Sequence, residues 1–156
     1  MTAERRQKTN RNFEHQVKET LRAISETLGY DCADEYGPDP LHWVDHVWFE
    51  TRLPSDFTEI SAPGLPTIGF EIENTDNLQS IKAALVNLEA LRPALGVVVL
   101  PEELARKKMK EHVETWPTFR DRVRYLSQRT ACRVIVMTES ELRALHQKLV
   151  VKPRCG

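Results

Sequence analysis

Two short, uninterrupted apolar segments most constrain what this chain can fold into. Residues 95–100 read LGVVVL and residues 133–138 read RVIVMT. Such runs lack the alternation of polar and apolar residues found in half-exposed strands, and they are typical of strands that are covered on both faces. Helices must then lie on each side of the sheet, so the two runs predict an α/β fold.

Helical spacing and turn residues predict the other elements. The predicted order is α-β-β-α-β-α-α-β-α, with helices over 12–28, 78–91, 101–112, 115–129 and 139–149 and strands over 42–49, 67–73, 95–100 and 133–138. Asp76 or Asn77 is the expected cap of the second helix, and Thr138 with Glu141 forms a capping box for the last. We expect a mixed sheet of about four strands flanked by helices on both faces. Residues 30–41, with Gly37 and two prolines, are predicted as a loop, and a first strand there stays open.

Length and composition indicate one globular domain. The 156 residues are 40% hydrophobic and 29% charged, which suits a single core. We divide the chain into a flexible basic arm over 1–11, one domain over 12–150 and a tail over 151–156. No apolar run approaches the roughly 20 residues of a membrane span, and the polar N-terminus predicts a cytoplasmic protein without a signal peptide. Three widely spaced cysteines predict reduced thiols.

Charge is unevenly distributed although the net charge is only −1. Residues 31–76 hold eleven acids and one base, whereas residues 103–133 hold nine bases and four acids. An acidic centre between basic flanks suits a metal site beside a polyanion groove. The alternative is that these charges only solvate exposed faces.

Three carboxylates in two neighbouring predicted strands carry the chemistry. Glu71 and Glu73 are two residues apart on one strand and therefore point to the same face, opposite Phe70 and Ile72. Asp45 stands alone in the apolar strand HWVDHVWF. Buried carboxylates are costly unless a cation compensates them, and oxygen ligands suit a hard divalent cation.

This arrangement resembles the core of the PD-(D/E)-x-K, or restriction-endonuclease-like, nuclease superfamily. Asp45 on one strand is followed by Glu71-Ile72-Glu73 at the end of the next, then by a helix and the strand 95–100. The resemblance covers most of the chain, from residue 13 to about residue 100. It implies a restriction-endonuclease-like fold and a Mg²⁺-dependent endodeoxyribonuclease, with Mn²⁺ as a substitute, that hydrolyses DNA phosphodiester bonds without a covalent intermediate.

The resemblance also implies roles for individual residues. Asp45, Glu71 and the backbone carbonyl of Ile72 would ligate Mg²⁺, which activates water and offsets charge on the phosphate. Glu73 would orient the attacking water, act as a base, or reach a second metal ion. Glu14, on the first helix, matches an acid that many members place there and would bind water around the metal ligands.

One departure from the family pattern concerns its lysine. Glu73 occupies that position. Some active members are similar in having Glu-x-Glu, and others move the lysine to the following helix, where Lys82 lies. The same sequence is also expected of an inactive member.

Three functions follow, in order of preference. The first is the nuclease, with DNA as partner and with a homodimer or a larger nucleic-acid-processing assembly as its context. The second is a catalytically inactive module of the same fold that binds nucleic acid or a protein partner. The third is a small regulator whose acidic segment 31–76 binds a protein.

Overall fold

A five-stranded mixed sheet organises the chain. The computed structural model describes residues 3–52, 64–109 and 117–151, with side chains described from residue 9 onward. The strands are β1 (Asp31–Asp39), β2 (His42–Glu50), β3 (Leu65–Ile72), β4 (Leu95–Leu100) and β5 (Val134–Thr138). The helices are α1 (Ala3–Leu28), α2 (Leu78–Leu91), α3 (Glu102–Arg106), α4 (Phe119–Ser127) and α5 (Glu139–Val151).

Strand order in space follows strand order in the chain, β1-β2-β3-β4-β5. The first three strands pair antiparallel, whereas β4 pairs parallel with both β3 and β5. The crossover from β3 to β4 runs through α2, and the crossover from β4 to β5 runs through α3 and α4. The predicted mixed sheet is therefore present.

Each face of the sheet has its own apolar core. On one face, Phe13, Val17, Leu21 and Ile24 of α1 pack with Leu142 of α5 against the sheet. On the other face α2, α3 and α4 supply the core, through Ile81, Leu85, Leu88, Leu91, Ala105, Phe119 and Val123. Helices thus cover both faces, as the apolar runs in β4 and β5 predicted.

The prediction of four strands was one short, because residues 30–41 are not a loop. Asp31–Asp39 forms β1 at the edge of the sheet, and its pairing with β2 is irregular between Tyr36 and Asp39. An edge strand tolerates acids, glycine and proline that a central strand excludes. This explains why the sequence DCADEYGPD looked like a turn.

Four predicted boundaries also change. The first helix begins at Ala3, so residues 3–11, predicted as a flexible arm, continue it; this segment has good helix formers but no apolar periodicity. The third helix ends at Arg106 rather than near His112, and residues 110–116 lie outside the described ranges. The fourth helix begins at Phe119, where Thr118 and Asp121 form a capping box. In the predicted tail, Val151 still belongs to α5.

Several local signals are confirmed. Asn77 caps α2 by accepting a hydrogen bond from the Gln79 N–H, while Asp76 instead pairs with Lys107. At the start of α5, Thr138 N–H donates to Glu141 Oε2 over 2.9 Å, and Glu141 N–H donates to Thr138 Oγ1 over 3.3 Å. Among the described residues, no helix combines the length and the apolar character needed to cross a membrane.

Candidate active site

The antiparallel pairing of β2 with β3 brings the predicted acids together. His46 lies opposite Phe70, so the beginning of β2 adjoins the end of β3. Here the Ile72 N–H donates to Asp45 Oδ2 over 2.7 Å. Asp45 is thereby fixed to the strand that carries Glu71, and Glu73 follows directly after that strand.

Glu71 is the most deeply buried of the three acids. Phe70 and Ile72 pack with α1, whereas an added Cβ at Gly69 would lie 2.9 Å from side-chain carbons of Leu88 and Leu91 in α2. Alternation along β3 therefore turns Glu71 toward α2. Its side chain is buried, and its Oε1 has no hydrogen-bond partner. An unpaired buried oxygen of this kind is costly to folding.

The acids raise one another's proton affinity. Burial, reinforced by the neighbouring Asp45, raises the pKa of Glu71 to about 10, although the Asn87 amide works in the opposite direction. Burial and the charge of Asp45 raise the pKa of Glu73 to about 7. Burial also raises the pKa of Asp45, against the hydrogen bond from the Ile72 N–H. A carboxyl with a pKa of about 10 is protonated at neutral pH, and the interaction of Glu71 with Asp45 favours the proton on Glu71.

Glu14 reaches the same cluster from α1. Its charge raises the pKa of both Asp45 and Glu73, so the structure brings together all four acids singled out in the sequence. Lys82 behaves differently. It lies on the exposed side of α2, and across the described ranges no hydrogen bond or ion pair joins it to an acid.

A lysine that no sequence motif singled out lies beside the acids. Lys18 is one helical turn after Glu14 on α1, and its Nζ is 2.6 Å from Glu14 Oε1. A glutamate four residues before a lysine is a recognisable pairing signal on a helix. That spacing could have drawn attention to Lys18 once Glu14 was considered for the site.

A second cluster of polar and charged side chains lies beside the acids of the candidate site, between α1 and the strands β1 and β2. Arg22 is 2.7 Å from Asp34, whose other oxygen is 2.6 Å from His46 Nδ1. His46 is fully buried and its Nε2 has no partner. Burial lowers the pKa of His46, so the neutral ring donates its Nδ1–H to Asp34. His46 is thus a packed strand histidine.

The donor chemistry of the acids fits a hard divalent cation. Asp45, Glu71 and Glu73 offer carboxylate oxygens, and the unpaired Oε1 of Glu71 is a buried acceptor without a donor. In the part of the chain that the structure describes, however, no three or more His, Cys, Asp or Glu side chains are arranged so that they could already hold a metal ion. In the present rotamers, Asp45 is instead satisfied by Ile72 and Glu71.

Much of the basic segment after β4 is engaged within the fold. Arg120 donates to the Val136 carbonyl and pairs with Glu141 over 2.8 Å, which joins α4 to β5 and α5. Arg106 pairs with Glu102, and Lys107 pairs with Asp76. These contacts favour a structural role for the three residues over a dedicated phosphate-binding stripe.

Comparison with known proteins adds no relative to this description: no family model matches the chain, and no curated protein does. The likeness to PD-(D/E)-x-K nucleases is therefore carried by Asp45, Glu71, Glu73 and the order of the elements around them.

Proposed function

We propose that this chain is a Mg²⁺-dependent nuclease that hydrolyses phosphodiester bonds of DNA. The observation that carries the proposal is the meeting of Asp45, Glu71 and Glu73 at one end of β2 and β3, with burial raising the pKa of each. A fold gains no stability from crowding buried acids. Such groups are typical of functional sites, where a bound cation provides the missing compensation.

The roles follow from position. Asp45 and Glu71 would hold the ion, with the Ile72 carbonyl beside them. Bound Mg²⁺ lowers the pKa of water and offsets negative charge on phosphate oxygens. Glu73 lies just beyond the strand and is half-buried, so its carboxylate can orient the attacking water from the solvent side. The helix residue Glu14 contributes charge from the other side of the cluster.

The experiment is a cleavage assay on supercoiled plasmid and single-stranded DNA with Mg²⁺, Mn²⁺ or EDTA. We expect Asp45→Asn and Glu71→Gln to lower the cleavage rate by about 1,000-fold or more, since each removes a charge that the reaction needs. Glu26→Gln, an exposed acid on α1, is the matched control and should cut like the wild type. Cutting that persists in EDTA, or in both site variants, would refute the proposal.

One active site cuts one strand, so double-strand cutting would require a homodimer or a larger assembly. Sedimentation of the protein with and without a DNA duplex tests this part of the proposal. A linear product from plasmid, formed by a protein that stays monomeric at the assay concentration, would contradict it.

A second candidate is a binding module of the same architecture without catalysis. It is favoured by Glu73 in place of a lysine and by the finding that, within the described residues, no set of three or more side chains is preset to hold a metal ion. Such a module would bind DNA equally well in Mg²⁺ and in EDTA, and Glu73→Gln would leave binding unchanged. Folded protein that binds DNA in this way but does not cut it would replace the nuclease by this candidate.

A further inference from the structure

Lys18 is unusually buried for a lysine on an amphipathic helix. Only 12% of its side chain is exposed. Its Nζ is 2.6 Å from Glu14 Oε1 and 3.7 Å from Glu35 Oε1, so the ammonium is held between an acid of its own helix and an acid of β1. A lysine normally extends its charge into water. The burial of this lysine between Glu14 and Glu35 therefore indicates a specific role for its charge.

Backbone strain accompanies this arrangement. Glu35 has φ of 50° in the middle of β1, a left-handed conformation that is uncommon for a residue other than glycine. The register places Asp34 opposite His46 and Tyr36 opposite Val44, so Glu35 lies opposite Asp45. The strained residue therefore lies between Lys18 and the strand position that carries an acid of the candidate site.

The acids around Lys18 favour its charged form. Burial works to lower the pKa of Lys18, but the hydrogen bond and charge of Glu14 together with the charges of Asp45 and Asp34 outweigh burial, and the pKa is raised. The ammonium is therefore retained at neutral pH. Lys18 accordingly lies within the electrostatic reach of Asp45.

We propose that Lys18 is the lysine of the candidate active site and donates from α1 to the phosphate group that the acids position. This inference rests on the proposed nuclease function. It assigns to Lys18 the role that the resemblance gives to a lysine at position 73, where this chain has glutamate. Lys82, the lysine that the resemblance offers on the following helix, lies on the exposed side of α2 and, within the described residues, pairs with no acid. Lys18 instead reaches the acids from the opposite face of the sheet.

The proposal requires the Lys18 ammonium to exchange acceptors when substrate binds. In the protein alone, its N–H groups are directed to Glu14 and Glu35. When the carboxylates are engaged by a divalent cation and a phosphate is present, the phosphate oxygens are better acceptors for the same N–H groups, because they carry the charge that grows during hydrolysis. Glu14 and Glu35 then keep the side chain extended toward the site.

The test compares Lys18→Met, Lys18→Arg and Lys82→Met in two assays, with Lys148→Met on α5 as the control. Methionine keeps most of the apolar stem and removes the charge. The first assay is plasmid cleavage in Mg²⁺, and the second is calorimetric titration of the DNA-free protein with Mn²⁺. Circular dichroism reports folding, and Lys18→Gln replaces the methionine variant if that variant does not fold.

We expect opposite effects in the two assays. Lys18→Met should lower the cleavage rate by about 100-fold. The same change should tighten Mn²⁺ binding by about 5-fold, because a positive charge near the carboxylates repels the ion and is removed. Lys18→Arg should keep the Mn²⁺ affinity of the wild type and recover part of the cleavage, since the positive charge is retained in a different shape. Lys148→Met should change neither quantity.

Three results would overturn the assignment: wild-type cleavage by Lys18→Met, loss of cleavage together with weaker Mn²⁺ binding, or a loss confined to Lys82→Met. The second of these would indicate a structural role. If the wild type cuts no DNA with any metal, the nuclease function fails separately, and the titration still decides: unchanged Mn²⁺ affinity in Lys18→Met removes Lys18 from the site, and tighter binding keeps it there.

Discussion

Two strand pairs of the same sheet, β4–β5 and β2–β3, differ in the polarity of their buried side chains. In β4, residues 96–100 are all buried and apolar, and β4 pairs in regular register with β5. In β2 and β3, buried side-chain polar atoms lack hydrogen-bond partners: His46 Nε2, Trp48 Nε1 and Glu71 Oε1, against one such atom, Arg120 Nε, elsewhere in the described residues. Apolar burial in β4 and β5 stabilises the fold, whereas the unpaired buried polar atoms of β2 and β3 lower its stability.

The contrast is sharpest between two residues that lie side by side. Glu71 in β3 pairs with Val98 in β4, and directly paired residues point to the same face of a sheet. Val98 is completely buried in the core on the α2 side, whereas Glu71 is a buried acid with one unpaired oxygen. Position alone therefore does not determine polarity here.

Replacing Val98 by an acid should have the largest effect on the free energy of unfolding. Val98→Glu places a carboxyl in the apolar core on the α2 side, directly beside the buried acid Glu71. We expect a loss of about 3–5 kcal/mol in the free energy of unfolding. Urea denaturation followed by circular dichroism measures it, with Val98→Ala as the control for lost volume. A loss no greater than that of Val98→Ala would show that the two strand pairs tolerate charge equally.

The reverse exchange at Glu71 should stabilise the fold and abolish activity. The pKa of Glu71 is about 10 in the folded chain but about 4.3 in an unfolded one. As pH rises between these values, the unfolded state releases its proton first, so the stability of the wild type falls. Glu71→Gln removes this loss, and we expect it to be more stable than the wild type by about 1–3 kcal/mol at pH 8 and equally stable below pH 4.

Unfolding curves at several pH values for the wild type, Glu71→Gln and the exposed-acid control Glu26→Gln measure this difference. Glu26→Gln should follow the wild type. A Glu71→Gln variant that is less stable than the wild type at pH 8 would mean that the carboxyl contributes to the core and is not a cost to it.

Divalent cations should restore part of the stability that the acids remove. In the proposed site, a tenfold excess of Mg²⁺ over its Kd stabilises the folded state by about 1.4 kcal/mol. This corresponds to a rise in Tm of about 3–6 °C for a chain of this size. Differential scanning calorimetry at pH 8 checks it, with Asp45→Asn as the variant that should lose the rise. An equal rise in Asp45→Asn would place the ion elsewhere.

The smallest expected effect concerns the strain at Glu35. Glycine adopts positive φ without a steric cost, so Glu35→Gly should raise the free energy of unfolding by about 0.5–1 kcal/mol. Asp31→Gly, on the same strand, should lower it by a similar amount. Thermal unfolding of the two variants measures both. Destabilisation by Glu35→Gly would show that the ion pair with Lys18 contributes more than the strain costs.

The sequence was sufficient to predict the two buried apolar strands, helices on both faces of the sheet and the placing of the acids on neighbouring strands. Apolar runs, helical periodicity and alternation along a strand are local signals, and the structure retains them in β4, α2 and β3. Asp45 and Glu71 were placed together because neighbouring strands were predicted to pair.

Other features depend on contacts between distant residues and could not be predicted in this way. β1 carries acids, glycine and proline, and only its edge position makes them acceptable in a strand. The register of β2 against β3 shifts between Trp48 and Phe49, and no local pattern indicates that irregularity. Lys18 was overlooked because a charged residue on an amphipathic helix does not reveal which acids its side chain will meet.

The agreement between strand order in space and strand order in the chain has a consequence for folding. No strand must enter between two strands that are already paired, so the sheet can grow by adding one neighbour at a time. The antiparallel β1–β2–β3 unit involves the shorter separations in sequence, and local pairings tend to form first. Asp45 and Glu71 would then meet before β4 arrives. We therefore expect the repulsion between these acids to oppose an early folding step as well as to lower the stability of the finished protein.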